Sequence, residues 1–231
     1  RFINAGIAEG GMMCVGAGLA SAGKVAFVST FAIFAAGRGF EQIRNSICYT
    51  RQNVKIGATH AGISVGEDGG SHQAVEDIAL MRALPHMVVI SPADWVSAKW
   101  ATKAAARYPG PVYLRFGRLS VPQIYDEGQE FRWGKGQLLR PGDDIAIFAT
   151  GMMVAEALEA AAQLAEEGIK AAVADIHTIK PLDTDLICDL VDRAGAALSV
   201  EEHSIIGGLG SAVAEVIAEH CGCSAFARMG L

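Results

Sequence analysis

Between Thr59 and Gln73 the chain sets His60, Glu67, Asp68, His72 and four glycines within fifteen residues, directly after an apolar, β-branched run. Glycines let backbone approach a ligand closely, and imidazoles and carboxylates gathered there can exchange protons with it near neutral pH. A metal centre would need three or four ligands at suitable spacing, which this order of His, Glu, Asp and His lacks, so no metal ligand is assigned. The plainer alternative is that Ser71-His72-Gln73 caps a helix beginning at Ala74. Both uses of the segment are compatible.

Four further groups carry possible chemistry, each beside an ordinary structural role. Glu9 opens a helix rich in small residues, where the helix dipole alone would favour a carboxylate. Phe31 and Phe34 follow a strand at a spacing that serves either a core contact or a stacking wall for a flat ring. Arg115 and Arg118 end a strand, where α/β proteins bind ligands and where arginine suits a phosphate, or simply faces solvent. His203 lies in Val200-Glu-Glu-His-Ser-Ile-Ile-Gly-Gly-Leu-Gly210, a strand, glycine turn and helix start that resembles a weak phosphate loop or a tight packing turn. The five cysteines, odd in number and irregularly spaced, read as reduced cytoplasmic thiols, and Cys221-Gly-Cys223 is too tight for a zinc half-site.

Short apolar runs alternate with longer helical patterns along the chain. Strands are predicted at 25–29, 54–58, 87–91, 112–116, 145–149, 171–175 and 197–200, with helices at 9–22, 35–49, 74–84, 95–107, 154–167, 184–194 and 210–219. The pattern implies an α/β fold of two domains, each a mainly parallel sheet flanked by helices. Asp94 is the expected N-cap of the helix at Trp95, and Gly168 the expected terminator of the helix from Val154. Proline, glycine and acidic residues interrupt the alternation at 123–142, read as a linker between domains 1–122 and 143–231. Phe226–Leu231 reads as a last strand, and both ends of the chain look cut. A net charge of −6 with scattered Arg and Lys argues against nucleic acid as a partner. No apolar run reaches the roughly 18 residues that would span a bilayer, and no signal peptide is evident.

Across its length the chain resembles the C-terminal half of transketolases, in the form that many prokaryotes encode as a separate subunit. The resemblance rests on Phe2-Ile-Asn-Ala-Gly-Ile-Ala-Glu9, Val28-Ser-Thr-Phe-Ala-Ile-Phe34, Glu41-Gln-Ile-Arg-Asn-Ser46, the Thr59–Gln73 loop and the Val200–Gly210 turn. It implies a thiamin-diphosphate-binding pyrimidine domain, N-terminally truncated, followed by a transketolase C-terminal domain, C-terminally truncated. By the resemblance, Glu9 hydrogen-bonds the aminopyrimidine of thiamine diphosphate and favours the imino tautomer that activates the thiazolium. Phe31 and Phe34 surround the pyrimidine ring. His60 and His72 contact substrate hydroxyls and assist proton transfer, Asp68 recognises a sugar hydroxyl, and Arg118 binds the acceptor's phosphate.

Family members bind the cofactor's diphosphate through magnesium held by a G-D-G…N motif on a separate domain, a motif this sequence lacks. The resemblance therefore implies a cytoplasmic transferase of the pentose phosphate pathway, active only with a diphosphate-binding N-terminal subunit that carries the magnesium, as a heterotetramer of two such pairs acting on sugar phosphates. Gly10 and Gly11 stand where relatives usually carry larger residues. The neighbouring readings are a 2-oxoacid dehydrogenase β subunit or 1-deoxyxylulose-5-phosphate synthase, and a non-catalytic assembly homologue.

Overall fold

The computed structural model describes residues 1–222 and 225–231, so Cys223 and the reading of the pair Cys221-Gly-Cys223 lie outside the described residues. The apolar runs fold as parallel strands. β1 (Ala26–Phe31), β2 (Val54–Thr59), β3 (Val88–Ile90) and β4 (Val112–Arg115) form the first sheet in the order β1-β2-β4-β3. Val54, Ile56, Ala58, Val89, Ile90 and Val112 are wholly buried, as expected for strands covered on both faces by helices. The second sheet runs β10-β9-β6-β7-β5, from β5 (Gln137–Arg140), β6 (Ile145–Ala149), β7 (Ala171–Asp175), β9 (Ala196–Val200) and β10 (Ala225–Met229). Only β5 is antiparallel there. The fold is thus α/β with two mainly parallel sheets, each flanked by helices.

α1 (Glu9–Ser21), α3 (Asp77–Ala83) and α4 (Trp95–Arg107) serve the first sheet; α5 (Met153–Glu166), α6 (Thr184–Ala194) and α7 (Leu209–His220) serve the second. α1 lies close on β1 because Gly16 offers no side chain: a Cβ there would stand 2.8 Å from Val28 Cγ1. α4 starts at a reciprocal cap, with Ser97 N–H donating to Asp94 Oδ1 at 2.9 Å and Asp94 N–H to Ser97 Oγ at 3.0 Å. Beyond α5, Gly168 takes a positive φ of 84° and Ile169 N–H reaches back to the Leu164 carbonyl.

Three elements depart from the sequence-based expectation. The helix expected over 35–49 breaks into two wide π-helical turns, Phe34–Arg38 and Ile43–Cys48, around the short α2 (Phe40–Gln42). The segment 123–142 contains β5, which closes the edge of the second sheet against β7. Most consequentially, β8 (Thr178–Lys180) leaves the second unit and adds an antiparallel strand to β3, joining the two sheets through backbone. Lys180 fixes that strand by donating to the Arg82 and Leu84 carbonyls at 2.7 and 2.6 Å.

The segment 123–142 is clamped at one end. Ile124 and Tyr125 N–H both donate to Asp94 Oδ2, and the Tyr125 hydroxyl donates to Asp175 Oδ2 at 2.7 Å. Asp175 is fully buried, and burial pushes its carboxyl up to about 7 against the lowering effect of Tyr125. A carboxyl whose pKa is raised by folding stabilises the fold while protonated and loses that advantage as pH rises through the folded value. The native state is therefore expected to lose roughly 2–3 kcal/mol of stability from this one group between pH 5 and pH 8. Urea denaturation should show wild type falling relative to Asp175→Asn across that interval; parallel curves would remove Asp175 as the cause.

Candidate functional site

Parallel pairing delivers the candidate residues to one end of the first sheet. Phe31 lies in register with Thr59, and Ala58 with Arg115, so Phe31, His60 and the Arg115–Arg118 segment all emerge where β1, β2 and β4 end. In open α/β sheets this carboxyl end is where ligands bind. The rings then touch. His60 stacks on Phe31 with centroids 3.8 Å apart and planes 16° apart, and Phe34 lies parallel to Phe31 at 5.9 Å. His72 meets the edges of Phe34 and Phe31 at 5.2 and 6.0 Å.

Glu9 sits in the first turn of α1 and is 8% exposed. Its contact is Arg38, whose Nη1 stands 3.5 Å from Glu9 Oε2 and whose guanidinium lies 4.4 Å above the Phe34 ring. Arg38 thus connects the carboxylate to the aromatic wall. Sequence reasoning misses it. The available signal is its place four residues after Phe34, obscured by Gly37 and Gly39 on either side. Gly10 lies against Gln42: a Cβ on Gly10 would stand 3.1 Å from Gln42 Oε1 and shift that side chain slightly.

His60 holds a left-handed backbone, φ 58°, which a non-glycine residue keeps only under constraint from its surroundings. Its Nδ1 lies 3.0 Å from Thr59 Oγ1, and His72 Nδ1 lies 3.0 Å from Ser71 Oγ. Among the described residues neither Nε2 has a protein hydrogen-bond partner, which leaves that nitrogen of each ring for a ligand. The helix-cap alternative for Ser71-His72-Gln73 is not realised, since α3 starts at Asp77 and the Gln73 side chain turns back to the Ile63 carbonyl. Asp68 stands exposed on the short turn Gly66–Asp68. Arg118 reaches that turn and donates from Nη1 to the Val65 carbonyl.

Arg115 and the 200–210 turn have structural roles. The Arg115 guanidinium is buried, bonded through Nε to Asp77 Oδ2 at 2.9 Å and through Nη2 to the Ala74 and Glu202 carbonyls. The amides at the start of α7, which a phosphate could have used, are taken by Glu201: Leu209 and Gly210 N–H donate to its carboxylate at 2.6 and 2.7 Å. His203 is fully buried; its Nε2 accepts from Ile78 N–H at 3.1 Å and its Nδ1 stands 2.7 Å from the Ser204 carbonyl. Since Nε2 accepts and Nδ1 faces a carbonyl, the ring is neutral with its proton on Nδ1, and burial lowers its pKa in the same sense. Among the described residues, His, Cys, Asp and Glu nowhere gather in threes as a metal site would require.

Comparisons with known proteins bear on the family and the fold. Residues 1–123 match the family model of the transketolase pyrimidine binding domain, and residues 134–231 that of the transketolase C-terminal domain. A Methanocaldococcus jannaschii protein, named provisionally as a transketolase C-terminal section, is 52% identical over 95% of this chain and 69% of its own length. The 6-deoxy-6-sulfo-D-fructose transketolase subunit of Clostridium sp. is 42% identical over 96% of this chain and 69% of its own. Among solved structures, a split-gene transketolase described as an inactive beta4 tetramer superposes with a TM-score of 0.94 at 51% identity, covering the whole of this chain and 75% of that one. The fold and these matches define a two-domain α/β enzyme subunit, a pyrimidine binding domain followed by a C-terminal domain. The chain belongs to the transketolase family.

The different roles of Arg115 and Arg118 are testable. Arg115→Ala leaves Asp77 buried without its cation and is expected to cost about 3–5 kcal/mol. Arg118→Ala, at an exposed site, is expected to cost less than about 1 kcal/mol. Chemical denaturation of both variants checks this, and equal losses would contradict the division.

Proposed function

We propose that this chain is the pyrimidine-side subunit of a thiamine-diphosphate-dependent transketolase, which moves a two-carbon ketol unit between sugar phosphates. The observation that carries the reading is the continuous line from buried Glu9 through Arg38 and Phe34 to Phe31, His60 and His72. A nine-tenths buried carboxyl beside an aromatic wall fits an aminopyrimidine, with Glu9 toward a ring nitrogen and Phe31 and Phe34 along the ring. When bound, thiamine diphosphate supplies the nucleophilic carbon that breaks and remakes the bond next to a ketose carbonyl. Glu9 holds or gives a proton at the pyrimidine. His60 and His72, through Nε2, move protons at the sugar's hydroxyls and carbonyl. Asp68 and Arg118, neighbours at the loop's exposed turn, suit a hydroxyl and a phosphate of the substrate.

Supporting relatives include an apulose-4-phosphate transketolase subunit of Phocaeicola vulgatus, 38% identical over 95% of this chain and 71% of its own length. The transketolase of Pichia stipitis in complex with sedoheptulose-7-phosphate is 27% identical, with a TM-score of 0.80. Diphosphate binding and magnesium are assigned to an N-terminal partner subunit, with the active unit a dimer of such pairs. The chain by itself is expected to be inactive.

The test mixes this chain with a transketolase N-terminal subunit, thiamine diphosphate and magnesium, and follows ketol transfer from xylulose 5-phosphate to ribose 5-phosphate. Wild type should be active only with the partner. Glu9→Gln, which keeps the shape but not the acid, should lose at least about 100-fold in kcat. Pyruvate decarboxylation by the same mixture, without ketol transfer, would transfer the reading to 1-deoxyxylulose-5-phosphate synthase or the 2-oxoacid dehydrogenases.

A further inference from the structure

The loop that carries His60, Asp68 and His72 is tied to the second sheet's domain by a side chain outside the constellation described above. Glu202 follows β9, and its Oε1 accepts two backbone bonds from the loop, from Ile63 and Ser64 N–H, each at 2.8 Å. The loop backbone is shaped around this carboxylate. Gly62 has a φ of 85°, and a Cβ there would stand 2.2 Å from Glu202 Cδ, so only glycine fits at that approach. The carbonyl of Glu202 accepts from Arg115 Nη2 at 3.0 Å, and Arg115 Nη2 also donates to Ala74 at the far end of the loop. Gly62 N–H closes the base by donating to Ala74 at 2.8 Å.

The neighbours of Glu202 hold it in place. Glu201 is fixed on the α7 amides, His203 accepts from Ile78 N–H, and Ser204 N–H donates to the Val75 carbonyl at 2.7 Å. Consecutive residues 201–204 thus grip the second domain, the loop and the start of α3 in turn. Charge-assisted bonds to backbone amides are the stronger kind and fix direction as well as distance.

Resting on the proposed reading, we infer that Glu202 is a positioning residue for catalysis: the C-terminal domain sets the placement of the substrate-handling loop through this carboxylate. It touches neither substrate nor cofactor; it acts through the loop it holds. This gives the C-terminal domain a defined task in the reaction.

Hydrogen exchange read by mass spectrometry on the full chain tests the structural half without any activity. In Glu202→Ala the amides of 61–74 should exchange about tenfold faster or more while β2 and β6 are unchanged. Glu202→Gln, which keeps an acceptor oxygen, should be intermediate. Glu215→Ala, which removes the Arg82–Glu215 pair across the same interface, should leave the loop as in wild type. If Glu202→Ala loosens the whole chain, Glu202→Gln decides: a rise confined to 61–74 supports the inference, and no such rise overturns it. Unchanged loop exchange in Glu202→Ala, or an equal rise in Glu215→Ala, also overturns it.

Kinetics with the partner subunit test the functional half. Glu202→Ala should raise the ketose phosphate KM and lower kcat, with thiamine diphosphate affinity within about twofold of wild type and substantial recovery in Glu202→Gln. An active wild type whose Glu202→Ala variant keeps the same KM, kcat and loop exchange would refute the positioning role. A wild-type mixture that assembles but transfers no ketol, while the loop exchange responds as expected, would instead remove the transketolase reading and leave Glu202 as the residue that places the loop.

Discussion

Arg115 stands at the end of β4 where the first sheet, the loop, α3 and the second domain converge, and its guanidinium is bonded to all but the sheet that carries it. Taking this cation and Asp77 out of water is costly, and a bare ion pair would scarcely offset it. The offset comes from saturation. Asp77 also accepts from the Tyr113 hydroxyl at 2.8 Å, while Arg115 donates to two main-chain carbonyls from segments distant in sequence. Burial works against the charged guanidinium, but Asp77, with Tyr113 and Glu202 adding to it, more than offsets this and raises the pKa of Arg115. The ends of the histidine loop, the start of α3 and residue 202 therefore have one arrangement relative to β4.

The network also settles the state of His203, which lies 3.8 Å from Asp77 and 3.7 Å from Glu201 and could pass for a member of two ion pairs. Those distances exceed hydrogen-bond length, and its Nε2 accepts amide bonds, which a protonated ring cannot do. Burial acts in the same direction. A neutral histidine here accepts from the α3 amides without adding a cation beside Arg115.

Much of this is legible in the sequence because it depends on local pattern. The seven apolar runs are strands, and in β2, β3, β4, β6 and β7 nearly continuous burial accounts for their largely apolar character. The Asp94 cap and the Gly168 terminator are readable from residue type and position alone. Glu9, Phe31, Phe34, His60 and His72 stand out by residue type and motif, and parallel register brings Phe31 and His60 to one end of the sheet. What escapes depends on partners far away in the chain. β8 is three residues long and is a strand only because β3 offers an edge; β5 is short and half exposed. The π-helical turns follow a wider period than the ordinary helical pattern, and wide turns of this kind often occur at functional sites. The acidic pair at 201 and 202 follows a strand and precedes a glycine turn, a context that suggests a phosphate loop until its own carboxylate is found in the place of the phosphate.

That substitution bears on why the chain reads as half of a site. A diphosphate needs clustered amide donors or a bound cation, and the glycine turn at 207–210 is where this chain's sequence most suggests such a cluster. Glu201 satisfies those amides with a tethered, buried carboxylate, and a free anion would have to displace it and leave it stranded in the interior. At the end of the first sheet the chain offers instead a buried acid, an arginine beside it and stacked aromatic rings. On the proposed reading a flat ring would lie at the end of the first sheet, while the helix terminus that might have gripped a phosphate secures the C-terminal domain instead. In residues 201–204 each adjacent side chain or amide holds a different segment, and the segment left to Glu202 is the one that carries the histidines.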